Sequence, residues 1–117
     1  MKIELRYRTQ KLKKLCTDNF KKARKTWGAE IAEALYALID LLGASSNLQD
    51  VNAMQIYNLH SLEGNRAGEY ALDIKGRSNS YRLIFIPLNN EVTKENLVMF
   101  YKSISIIRIE EVSKHYE

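Results

Sequence analysis

The chain has 117 residues, 45% of them hydrophobic, and a net charge of +4. That is enough apolar material for one domain to bury a core without disulfides or a structural metal. A lone Cys16 excludes an internal disulfide and no zinc-type Cys/His spacing exists, so a reducing compartment is expected. The basic N-terminus lacks the apolar run of a signal peptide, and no stretch approaches the roughly 18 apolar residues of a membrane span. A cytoplasmic protein without membrane association is expected.

The charge is unevenly placed. Residues 1–27 carry ten Lys/Arg against Glu4 and Asp18, a net +8 that leaves −4 for the remainder. A basic footprint of this kind implies a polyanionic partner; lysines that merely solvate the outer face of a helix give the same pattern.

In chain order, Lys2 to Arg8 alternates Ile3, Leu5 and Tyr7 with Lys2, Glu4, Arg6 and Arg8, the period of a strand with one buried face. Thr9 then caps a basic helix in which Leu12, Leu15 and Cys16 share a face. From Ala29, the spacing Ile31, Leu35, Leu38, Leu42, supported by Ala34 and Ile39, gives a long amphipathic helix ended by Gly43. Ser46 and Gln49 stand at capping-box spacing ahead of a short helical turn from Leu48 to Met54. Everything after Tyr57 reads as strand, chiefly residues 69–74, 81–87 and 103–112, joined by turns at 75–80 and 88–97. Leu83, Ile84, Phe85 and Ile86 are apolar on both faces of the central strand, so helices should cover one side of the sheet. The expected fold is α+β: one domain over residues 1–117, with an N-terminal strand and helices packed on an antiparallel sheet.

Chemistry on the phosphates of a polyanionic partner needs a base, an acid and cations for the phosphoryl oxygens. Histidine suits the first two roles and arginine the third. The chain has two histidines, His60 and His115. Taken alone, His60 reads as a turn or packing residue as readily as a catalyst. Arg82, between Tyr81 and Leu83 in an apolar strand, must place its charge on solvent, on a phosphate, or on an acid such as Glu69 or Asp73 of the neighbouring strand. Lys75 and Arg77 flank Gly76 at a loop tip, where they are either solvated turn residues or phosphate contacts helped by close backbone approach. Gly64 and Gly68 read as turn-makers, with the role of Arg66 between them open.

The segment from Tyr57 to Phe85, YNLHSLEGNRAGEYALDIKGRSNSYRLIF, joins a Leu-His-x-Leu-x-Gly-Asn-Arg turn to a basic Gly/Ser/Asn loop and a Tyr-Arg-Leu-Ile-Phe strand. It resembles the HigB branch of the RelE/ParE toxin superfamily, and ISIIRIEEVSKHY, from Ile104 to Tyr116, resembles the last strand and terminal histidine of that branch. The resemblance implies the toxin of a type II toxin–antitoxin pair: a ribosome-dependent mRNA endoribonuclease, or mRNA interferase, that cuts the A-site codon without metal or cofactor. It implies catalytic roles for His60, Arg82 and His115 and RNA contacts from Arg66, Lys75, Arg77, Tyr81 and Tyr116. The implied partners are the ribosome, its mRNA, and a HigA-like helix-turn-helix antitoxin in a 2:2 complex that holds operator DNA mainly through the antitoxin.

Two positions depart from the pattern. The compact Asp-Tyr-His ending of the family is replaced here by a run from Glu110 to Tyr116, so either His115 or Ser113 takes the terminal position. Glu63 stands where related toxins often carry a lysine, and acts either as a base or as a partner for Arg66. The alternative on the same scaffold is a non-enzymatic, ParE-like toxin that inhibits DNA gyrase by binding, which needs no proton-transfer groups. A bare nucleic-acid-binding module is disfavoured by the lack of an aromatic stacking motif.

Overall fold

The alternating N-terminal segment forms β1 (Glu4–Tyr7) in a computed structural model that describes residues 2–77, 79–89 and 96–114. Thr9, in extended backbone, accepts the Leu12 N–H through its hydroxyl and starts α1 (Gln10–Thr17). The basic run does not continue as one helix. Asp18 and Asn19 leave helical geometry, and the Asn19 side chain accepts the Lys22 N–H to begin α2 (Phe20–Trp27). Short polar side chains that bond to nearby backbone favour such breaks over helix interiors.

The long amphipathic helix α3 (Ala29–Ala44) buries Ile31, Leu35, Leu38, Ile39 and Leu42. It runs through Gly43, contrary to expectation, and stops at Ser45, whose N–H and hydroxyl turn back onto the carbonyls of the last turn. Helix α4 (Leu48–Asn52) carries its capping box one residue later than the Ser46/Gln49 spacing suggests. Asn47 accepts the N–H groups of Gln49 and Asp50, and the Asp50 carboxylate accepts from Ser46 N–H at 2.9 Å.

The remaining strands are β2 (His60–Ser61), β3 (Tyr70–Asp73), β4 (Tyr81–Pro87) and β5 (Ile106–Lys114), in a five-stranded sheet of order β1-β5-β4-β3-β2. From β2 to β5 the pairing is antiparallel, as expected, while β1 joins the outside of β5 in parallel and makes the sheet mixed. The helices lie on one face, giving the expected α+β layers. Reading everything after Tyr57 as strand is corrected by α5 (Leu97–Lys102), which the Asn96 side chain caps through Met99 N–H. A run as short and apolar as Leu-Val-Met-Phe-Tyr fits either period. Tertiary packing decides: α5 delivers Phe100 and Tyr101 against Tyr70, each with ring centroids 6.2 Å away. No helix among the described residues is long and apolar enough to cross a membrane.

The helix-covered face of the sheet contributes Tyr70, Leu72, Leu83, Phe85, Ile107 and Ile109 to the main core. The opposite, helix-free face holds only a small apolar cluster of Leu62, Ala71 and Ile84. A bulge in the β4–β5 ladder sets Glu111 opposite Ile84 and Ile109 opposite Phe85, so the register brings carboxylates onto the helix-free face.

Burial pushes the Cys16 thiol up from 9.0 to about 12, and desolvation likewise raises the phenols of Tyr7, Tyr36 and Tyr101. The folded chain keeps these protons at pH values where the unfolded chain has released them. The stability that the Cys16 thiol contributes is complete below about pH 9 and is lost as pH rises towards about 12, and the phenols act in the same direction. Urea titrations are therefore expected to show a falling midpoint with unchanged slope from about pH 8 to about pH 10.

Candidate active site

A 3₁₀ turn at Gln55–Tyr57 ends at Asn58, which adopts the left-handed conformation (φ 46°, ψ 53°). Asparagine tolerates that region better than most residues, and here the turn aims the chain into β2. The carbonyl of Asn58 lies 2.7 Å from Nδ1 of the half-buried His60. A carbonyl can only accept, so Nδ1 carries the proton in this contact and Nε2 of a neutral ring is left as an acceptor, the form a general base requires. In the ladder His60 pairs with Ala71, which pairs with Ile84, which pairs with Glu111, so these four residues form one row on the helix-free face. His60 also borders a cleft of about 460 Å³ with Leu59, Ser61, Leu97 and Tyr101.

The next row along the strands is Asp73, Arg82 and Ser113. Asp73 is fully buried, and its Oδ1 lies 2.9 Å from Arg82 Nε. This is an ion-pair contact rather than an aligned hydrogen bond, and neither carboxylate oxygen of Asp73 accepts a hydrogen bond from any described residue. The other edge of the guanidinium is taken by the hairpin: Nη1 donates to the carbonyls of Tyr81, at 2.9 Å, and Asn79, and Nη2 donates to that of Arg77 at 3.5 Å. Of the readings open for Arg82, the cross-strand pair with Asp73 is present, and only 14% of its side chain is exposed.

Gly64 and Gly68 have φ of 64° and 97°, so both are turn-makers around the short 3₁₀ turn Gly64–Arg66. Arg66 reaches out of this turn to Glu69 and to Glu111, not to Glu63. Because Glu111 is on β5, the guanidinium bridges across the Ala71–Ile84 row. Its hydrogen bond to Glu69, and then that to Glu111, push the Arg66 pKa further up, so it stays charged. Arg108 with Glu110 and Arg6 with Glu4 add two more pairs on β5 and β1.

No family model matches the sequence, and no curated protein matches it. Among solved structures, a YoeB/ParE toxin from Agrobacterium tumefaciens superposes with a TM-score of 0.50 at 12% identity, covering 97% of this chain and 100% of that one. The fold is RelE/ParE-like. A histidine-to-glutamine mutant of YafQ from E. coli superposes with the same TM-score at 18% identity, over 97% of this chain and 93% of that one. The chain is thus structurally similar to RelE/ParE superfamily toxins.

On this RelE/ParE-like sheet, His60, Arg66 and Arg82 share the helix-free face. Lys75 and Arg77 are exposed in the β3–β4 hairpin that continues from the Asp73/Arg82 end. Tyr81 is set apart: alternation turns it to the helix side, where it packs on the main core with Lys114 Nζ 5.7 Å from its ring centroid. His115 and Tyr116 lie outside the described residues. Glu111 escapes sequence reasoning as a member of the site, while Asp73 enters it as one of two possible partners for Arg82. For Asp73 the signal was present, since it is the lone carboxylate in an apolar strand next to the Arg82 strand. For Glu111 the bulge decides, and nothing in the sequence places it.

Proposed function

We propose that the chain is the toxin of a type II toxin–antitoxin pair, of the HigB branch, and acts as a ribosome-dependent mRNA endoribonuclease. The observation that carries the reading is His60, whose ring is fixed through Nδ1 on the sheet face with Nε2 available as a base. In the proposed reaction His60 takes the proton of the 2′-hydroxyl, the 2′-oxygen attacks phosphorus, and the P–O5′ bond breaks to leave a cyclic phosphate. Arg82, oriented by Asp73, stabilises the charge on the phosphoryl oxygens, and His115 protonates the departing 5′-oxygen. Arg66, Lys75, Arg77, Tyr81 and Tyr116 are the proposed RNA contacts; among these, Lys75 and Arg77 have the most accessible cations.

His60 and Arg82 stand two strands and two residues apart, so their backbones are roughly 12 Å from each other. Only a message held in one pose engages both side chains, which fits a requirement for the ribosome as the positioning device. The proposed partners are therefore the ribosome with its mRNA and a HigA-like helix-turn-helix antitoxin, in a 2:2 complex that reaches operator DNA through the antitoxin. One observation favours the second reading, a binding inhibitor of DNA gyrase: Arg6, Arg66, Arg82 and Arg108 on this face all pair with carboxylates. Incubating the purified chain with a defined message, with and without ribosomes, tests the proposal. Cuts confined to ribosome-bound message support it, whereas intact message beside inhibited supercoiling supports the gyrase reading.

A further inference from the structure

β1 is an outer strand of the sheet, at the edge opposite the one that carries His60. Along a parallel ladder the N–H and C=O of one residue point to the same side, and successive residues point to opposite sides. The Glu4 N–H donates to the Ser105 carbonyl and the Arg8 N–H to that of Ile109, so Glu4, Arg6 and Arg8 turn their backbone groups to β5. Leu5 and Tyr7 turn theirs outward, where no described residue bonds to them; the outward N–H of Ile3 is instead taken by the Ser45 carbonyl. Sheets protect such an edge with a proline, a bulge or a covering element, and β1 has neither proline nor bulge.

Two depressions follow this edge. One of about 590 Å³ is lined by Leu5, Tyr7, Ile39, Gly43 and Ala44, and one of about 280 Å³ continues past Tyr7 beside Arg8 and Lys13. Glycine is a poor helix former, yet Gly43 sits within α3 without a positive φ, and a Cβ there would meet nothing nearer than Leu5 Cδ1 at 3.8 Å. Neither backbone conformation nor packing within the chain calls for this glycine, and its missing side chain keeps the larger depression open. Charge selects the occupant. Lys2, Arg6, Arg8 and Lys13 line the two depressions against one acid, Asp40. Arg6 pairs with Glu4, whereas Lys2, Arg8 and Lys13 are exposed and form no ion pair with a described residue. A second copy pairing antiparallel through Leu5 and Tyr7 would set Arg6 against Arg6, a like-charge pair that destabilises.

We propose that the free edge of β1 receives an extended, acidic segment of a partner protein as a sixth strand of the sheet. The backbone of the segment bonds to Leu5 and Tyr7, its apolar side chains enter the depression beside Gly43, and its carboxylates meet Lys2, Arg8 and Lys13. Strand addition of this kind draws affinity from main-chain hydrogen bonds and specificity from pockets for alternate side chains. β1 stands four strand spacings, roughly 19 Å, from β2, so a segment held here tethers a partner and leaves His60 uncovered. The surface is independent of the endoribonuclease reading, because it involves neither His60 nor Arg82.

The test titrates the full chain with a short capped peptide of alternating valine and glutamate and reads backbone amide exchange residue by residue. The Leu5 and Tyr7 amides, open in the free chain, should gain roughly 10-fold or more protection, and the same peptide with lysine in place of glutamate should give none. Lys2→Gln/Arg8→Gln/Lys13→Gln should weaken peptide binding by roughly 10-fold and flatten its salt dependence. Gly43→Leu should block the larger depression and weaken binding, with a melting temperature unchanged or raised because glycine has been removed from a helix. No binding, or binding that leaves these two amides unprotected, overturns the proposal. Amides already protected without peptide overturn it as well, whether at every protein concentration or increasingly with concentration, as a second copy on the edge would cause. Protection of the same amides by an RNA hairpin and not by the peptide does the same. Cleavage plays no part in the readout, so the surface and the nuclease reading fail separately.

Discussion

Replacing Arg82 with Ala is expected to cost both activity and stability, and the two losses should separate in a double mutant. The stability loss follows from Asp73, which is fully buried against the Arg82 guanidinium. Removing one member of a buried pair leaves an uncompensated charge, a loss of about 3–5 kcal/mol. The hairpin carbonyls of Asn79 and Tyr81 lose their donor as well. Arg82→Ala with Asp73→Asn removes the stranded charge and should recover much of that stability, as read by urea melts. Single-turnover cleavage on programmed ribosomes should stay down by roughly 10²-fold or more in both variants, the scale for losing one preorganised charge-stabilising group. If activity returns along with stability in the double mutant, Arg82 is only a structural staple of the hairpin and its catalytic role is wrong.

His60→Gln should lower single-turnover cleavage by roughly 10²- to 10⁴-fold, the usual contribution of a positioned general base. The fold should tolerate the change, because His60 is only half-buried and its ring is held among the described residues by a hydrogen bond to the Asn58 carbonyl. Adding His115→Gln should cost little beyond the worse single change, since groups that share one proton transfer cycle are not additive. A His60→Gln enzyme that cleaves like wild type would assign the base elsewhere.

Local chemistry made the helices and the central strand legible. Thr9 and the Ile31/Leu35/Leu38/Leu42 stripe announce their helices because a cap and a 3.6-residue period are both written in a few adjacent residues. The split at Asp18 and Asn19 was also local, but the continuous basic run conceals it. Helix α5 was not legible, since its apolar residues gain their meaning only where Tyr70 meets them. The same holds for the site. Asn58, His60 and Gly64 lie within one short motif, whereas the Arg66–Glu111 and Arg82–Asp73 pairs depend on strand register and on a bulge. The side of the sheet on which Tyr81 lies was likewise set by strand alternation, which turns it to the face opposite Arg82.

The most direct measurement is primer extension on a purified message incubated with the chain and ribosomes, with initiation either permitted or blocked. The account predicts cuts at codons held in the A site, present with initiated ribosomes and absent both when initiation is blocked and on naked RNA. Equal cutting of naked message, or intact message throughout while gyrase supercoiling stalls, would contradict it.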